Sequence, residues 1–274
     1  MLRKSIFVVV AILPVMLIAT AGCGQGADIV TRHHGVDLIS GEAAYGMYVD
    51  FKNIRQDEDL SAMYDYLGEG SADGELEDFG LSISQVDFAA GTMDGGIFCG
   101  CFDYNEIRES LRKLEFEEDV YEDVELWTGY YSGYGDTAVA IFESGLVYGE
   151  VDVVKAHVRV IRGIDKSLYQ KEDVEQIMNR LPNWSPIIIV VMIDTYGQLD
   201  FSGAVAQVFA FDKADRDNLK LAMVVKFTSE DAAIEALSDA ETYMEEGYEG
   251  MGIKANQNGT FVEIEAIVPI ELFT

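Results

Sequence analysis

The chain has 274 residues, 49% apolar and 11% aromatic, enough to bury a real core, which excludes an intrinsically disordered polypeptide. Its 49 acidic against 19 basic side chains give a formal charge of −30. A field of that sign repels phosphate backbones, excludes nucleic acid as a partner, and reads foremost as a solvated acidic surface.

The chain opens with a positive start at Arg3 and Lys4, an apolar run from Ile6 to Ala19 broken once by Pro14, and then Thr20-Ala21-Gly22-Cys23. The run is 14 residues long, whereas a membrane span needs roughly 20. The pattern is that of a secretory signal peptide over residues 1–22. A first cysteine placed directly after a small pair resembles the lipobox of bacterial lipoproteins, with Thr20 where that family usually carries Leu. The resemblance implies a diacylglyceryl group on Cys23, removal of residues 1–22, and anchorage at the extracytoplasmic face of the cell membrane.

Residues 23–40 read as the lipidated cysteine and a polar tether, with His33-His34 part of the spacer. No Pro-rich or Ser/Gly-rich linker divides the remainder. Residues 41–165 and 166–274 are therefore expected as two α+β modules packed on each other.

Within the first module, residues 43–51 alternate as a strand, and 57–67 form an acidic, helix-compatible piece leading into a Gly/Asp-rich loop that ends near 78. Residues 84–90 and 96–102 flank the turn Gly91-Thr92-Met93-Asp94-Gly95 as a hairpin. Asp103, with Glu106 three residues on, caps a helix carrying Ile107, Leu111 and Leu114. Strands follow at 124–131, 137–142 and 146–150. Val151, Val154, Val158 and Ile161 then mark a helix that Gly163 closes. His157 lies near this stripe, where a lone histidine is expected to be packed and hydrogen-bonded rather than catalytic.

The second module opens with a helix at 172–181 stopped by Pro182, and residues 187–193 are an unbroken apolar run, the mark of a strand covered on both faces. Further strands are expected at 204–211, 219–227 and 262–270, with a helix capped by Ser229 and ended by Gly247. Both halves place a strand ending in Phe (Phe102, Phe227) before a polar cap and a helix, which points to an internal duplication. The whole is expected to be α+β, with largely antiparallel sheets and helices packed on one face. The mature part is similar to uncharacterised two-module envelope proteins of unknown function, a likeness carried by features such as Asn179-Arg180-Leu181-Pro182 before a buried strand.

Motifs for chemistry are scarce. The sequence contains no Gly-x-Ser-x-Gly, His-Glu-x-x-His, phosphate loop or dinucleotide fingerprint, so no catalytic residue, metal ligand or cofactor is assigned. Cys99 and Cys101, two apart on a strand, are expected as buried thiols on one face. Asp57, Glu58 and Asp59, with Asp73, Glu75, Glu77 and Asp78, form acidic clusters whose spacing matches no calcium loop. Trp127, Tyr130, Tyr131 and Tyr134 crowd a Gly-rich hairpin, and such aromatics either stack on a sugar or partner surface or pack on their own sheet. They are the candidate binding residues. The expectation is a lipid-anchored binding or assembly protein without catalytic activity, its partner an envelope protein or a small-molecule or sugar ligand. A tethered carboxylate-dependent hydrolase is the alternative.

Overall fold

The computed structural model describes residues 29, 35–60, 63–64, 73–132, 135–181, 185–193, 202–247 and 252–270, without the side chains of 73–75 and 239–247. The leader, Cys23, His33-His34 and Tyr134 lie outside the described residues.

Twelve strands form one antiparallel sheet: β1 (Tyr45–Val49), β2 (Val86–Gly91), β3 (Gly95–Gly100), β4 (Glu117–Tyr121), β5 (Val124–Tyr131), β6 (Gly135–Ile141), β7 (Gly145–Glu150), β8 (Ile187–Met192), β9 (Ala204–Lys213), β10 (Asn218–Phe227), β11 (Lys254–Asn258) and β12 (Phe261–Pro269). Among the described residues six helices accompany them: α1 (Phe51–Gln56), α2 (Asp73–Asp78), α3 (Tyr104–Lys113), α4 (Val151–Ile161), α5 (Glu172–Met178) and α6 (Glu230–Gly247). The α+β class follows directly from this composition.

Read outward from the central β1–β8 pair, the strand order is 1-2-3-7-6-5-4 one way and 8-9-10-12-11 the other. Each half is a three-strand meander, a capped helix, and return strands whose last member pairs with the third. The antiparallel β1–β8 pairing, Met47 opposite Ile189 at its middle, places a local two-fold between the halves. The boundary expected at 165/166 falls between α4 and a 3-10 turn, Leu168–Gln170, and the strands on either side of it share this single sheet.

Side chains alternate across a strand, and the alternation sorts the helices. Val139 and Ile141 of β6 pack with Ile107 and Leu111 of α3, while Ala138 and Ala140 of the same strand pack with Val154 and Val158 of α4. On β10, Val225 and Phe227 meet Ala233 and Ala236 of α6, whereas Ala222 and Val224 meet Val174 and Ile177 of α5. Helices therefore cover both faces, α1, α3 and α6 on one and α4 and α5 on the other, rather than the single face expected. A sheet this wide with an apolar central strand needs cover on both sides.

The edges are blunted. β4 (Glu-Glu-Asp-Val-Tyr) is acidic and almost wholly exposed, and β11 is a short polar strand. Charge and brevity at an edge oppose pairing with another chain. The segment expected as a tether is partly core: Val36, Leu38 and Ile39 are fully buried against the sheet.

Candidate functional site

Five of the eleven residues of α4 are Val and one is Ile, a poor helical composition by intrinsic propensity. Tertiary packing decides the outcome. Ala138 and Ala140 offer a shallow floor on β6, and Val154 and Val158 sink against it to full burial. The helix ends in a Schellman motif. Gly163 at φ 71° donates to the Val160 carbonyl at 2.9 Å, and Ile164 donates to that of Arg159 at 2.8 Å.

His157 sits beside this stripe, 1% exposed. Its Nδ1 accepts the Ser40 backbone N–H at 3.3 Å, which leaves the proton on Nε2. Nε2 is buried and has no hydrogen-bond partner among the described residues. Burial pushes the imidazole down to about 4, so it is neutral at physiological pH. A neutral ring of this kind is a hydrogen-bond donor and a weak base.

The ring lines a cleft of about 550 Å³ between α4, the segment around Ser40–Tyr45 and the β2–β3 turn at Thr92–Asp94. Its lining includes the carboxylates of Glu42, Asp94 and Asp152 and the apolar Ala43, Val153 and Ala156. Past Ala156 the cleft continues into a second groove of about 580 Å³, which shares Ser40, Glu42, Asp152 and Ala156 and adds Lys155, Arg159, Lys166 and Lys171. Short bonds fix the wall: Gly41 N–H to the Lys166 carbonyl at 2.9 Å, Leu168 N–H to the Ile39 carbonyl at 2.8 Å, and a bridge between Ser40 and Ser167. Arg159 grips Asp165 through two bonds of 2.6 and 3.0 Å and reaches Glu122 at 3.2 Å.

The candidate aromatics are not brought together at one surface. Trp127 is 2% exposed beneath α3. Its indole N–H donates to Glu125 at 2.8 Å, Arg108 clamps that carboxylate at 2.8 and 2.7 Å, and Arg112 stands 5.3 Å over the ring. These bonds hold the Glu125 carboxyl below the usual range. Trp127 is thus a core residue and offers no contact area. Tyr131 is half-buried, its hydroxyl donating to Asp78 at 2.5 Å and its ring 5.0 Å from Phe79. Tyr130 alone of the described three is open, at 73% exposure. Gly129 is glycine because the Phe116 ring occupies the space a Cβ would take.

Two further expectations shift. Cys99 is a buried free thiol, its pKa pushed up by burial, but Cys101 is exposed. β3 stops at Gly100, and a register shift in the facing β2 between Val86 and Phe88 breaks the alternation. Asp57 and Asp59 turn onto Lys213 at 2.8 and 2.6 Å, so this acidic cluster closes on a cation of the chain itself. Asp73 to Asp78 form α2 rather than a loop. No group of three or more His, Cys, Asp or Glu suited to a metal ion occurs among the described residues.

No protein-family model matches the chain, and neither a curated protein nor a solved structure is significantly similar to it. The cleft is therefore interpreted on its chemistry alone.

Proposed function

We propose that the protein is a lipid-anchored, extracytoplasmic binding protein whose small-molecule ligand occupies the cleft beside His157. One observation carries this reading: a neutral imidazole, held by Ser40, lines the cleft and carries a buried N–H donor with no partner among the described residues. Leaving a buried donor unsatisfied costs about 1–3 kcal/mol, which a ligand oxygen would recover. The volume, about 550 Å³, lies within the ordinary range of small-ligand sites, roughly 300–1,000 Å³. Hydroxyl-bearing ligands such as sugars suit an N–H donor flanked by Glu42, Asp94 and Asp152, because carboxylates accept what hydroxyls donate.

The anchor rests on the Arg3-Lys4 start, the short apolar run and Ala21-Gly22-Cys23. Eleven residues lie between Cys23 and Gly35, so the chain from one to the other reaches at most about 43 Å. Lipidation would then hold the cleft close to the bilayer. Two acyl chains anchor a protein stably where one does not.

Two measurements test the reading. Metabolic fatty-acid labelling should mark the wild type and spare Cys23→Ala, and equal labelling of both would remove the anchor. A small molecule should co-purify with the detergent-extracted full chain and be absent from Ala156→Trp, which fills the cleft. Recovery of no small molecule from the wild type, or of the same one from both, would remove the site.

A further inference from the structure

We infer that the ligand of this cleft, on the reading just proposed, carries an anionic group, a phosphate or carboxylate, seated against Lys155, Lys166 and Lys171. The argument begins with the background. In a chain of 49 acidic and 19 basic residues, carboxylates at the His157 end are what any surface would show. Lysines gathered in one groove are not.

The groove beyond Ala156 collects four cations, and their commitments differ. Arg159 is neutralised by Asp165 and Glu122, and it neutralises Asp165 in return. Glu42 and Asp152 stand where the groove meets the His157 cleft. That leaves Lys155, Lys166 and Lys171, none of them in an ion pair among the described residues, and the Lys155 ammonium rests 5.4 Å over the Tyr121 ring. Like charges held together in a partly enclosed groove repel one another, and a bound anion reverses that repulsion.

The two ends are rigidly coupled. Ser40 holds His157 through its N–H and bridges to Ser167, while the neighbouring Gly41 bonds to the Lys166 carbonyl. The two pockets share Ser40, Glu42, Asp152 and Ala156, so one ligand lying along this wall would meet both ends. The charged group sits at the lysines and its uncharged part reaches His157.

Calorimetric titration of the detergent-solubilised full chain with pyrophosphate, and separately with citrate, tests this. At least one of the two anions should bind saturably at one site per chain. The double variant Lys166→Gln/Lys171→Gln should weaken that binding at least tenfold. Lys220→Gln, which removes a half-buried cation of β10 paired with Glu265, should leave it unchanged. Absence of saturable binding by both anions, or equal weakening by Lys220→Gln, would overturn the inference. If a small molecule is still recovered from the wild type and lost in Ala156→Trp, that failure concerns the anion alone. If neither is found, the cleft itself has failed as a binding site.

Discussion

The two halves of the sheet share a plan and differ in what covers one face. In the first half, α4 lies over β3, β7 and β6, on small apolar residues such as Ala138 and Ala140. The corresponding face of the second half has α5 over β9 and β10, and beside that helix Glu263, Glu265 and Lys254 stand around an open hollow of about 380 Å³. The Arg180 guanidinium closes one side of that hollow, 3.8 Å over the Phe261 ring and 2.6 Å from Glu263. The meander and capped helix common to both halves thus supply the scaffold. The cleft exists only where a helix rich in valine was laid across one copy. On this comparison, the His157 cleft belongs to what the halves do not share.

The strongest way to break the comparison is to ask whether the halves fold separately. Trp127→Ala removes a buried ring from the first half and strips Glu125 of its indole donor. A loss of about 3–5 kcal/mol is expected, as for other large-to-small core changes. Since β1 and β8 are hydrogen-bonded in one sheet, denaturant titration should show a single transition moving as a whole. Two transitions with only one displaced would make the halves independent domains.

The next effect isolates α4. Burial lowers the pKa of His157 from its ordinary 6.5 to about 4, so the folded state favours the neutral ring and the unfolded chain binds more protons between those values. Stability contributed by the neutral ring is present above pH 6.5 and is lost as pH falls through about 4. A depression of this size corresponds to an amount on the order of 3 kcal/mol. His157→Gln keeps an acceptor for Ser40 and should flatten this part of the stability curve between pH 6.5 and 4. An unchanged acid slope would show that other groups control it.

On the second half, Arg180→Ala should cost only about 1 kcal/mol, the sum of a partly exposed ion pair and a stacking contact. Melting temperature would register it as a shift of a few degrees. A loss as large as that of Trp127→Ala would mean the hollow is a structural joint and not an open counterpart of the α4 face. Within the Asn179-Arg180-Leu181-Pro182 run, Arg180 ties the end of α5 to β12, while Pro182 lies outside the described residues.

Legibility in the sequence followed burial. β1–β3, β5–β10 and β12 are readable because each carries apolar residues on at least one covered face, and α4 because Val154, Val158 and Gly163 mark both its stripe and its end. The two strands that escaped, β4 and β11, are the sheet edges. Both are largely exposed, so neither period nor hydrophobicity distinguishes them from loops. α2 escaped because an acidic run with a glycine resembles a turn. The site was harder still. His157 was visible only as a polar residue on an apolar helix, and its partner Ser40 lies 117 residues away. No local pattern joins them, and the lysine groove is likewise assembled from α4 and the segment that follows it. The aromatic hairpin shows the converse error: composition alone gave Trp127 and Tyr130 the same standing, although strand alternation sends them to opposite faces.

That last pair also yields the smallest predicted effect. Tyr130 faces away from α3, on the side of β5 opposite Trp127, and stays largely open to solvent. Its replacement by Ala removes a ring that covers little of the core, so stability should change by less than about 0.5 kcal/mol, as for other exposed positions. Set beside the Trp127→Ala result, it gives a within-strand contrast of severalfold from residues three apart. A change of 2 kcal/mol or more at Tyr130 would place it in the core after all. If stability holds while a cross-linked envelope partner is lost, the outer face of β5 is a contact surface distinct from the His157 cleft. If both stability and cross-linking are unaffected, Tyr130 is a solvated ring, and the binding chemistry of the first half rests on α4 alone.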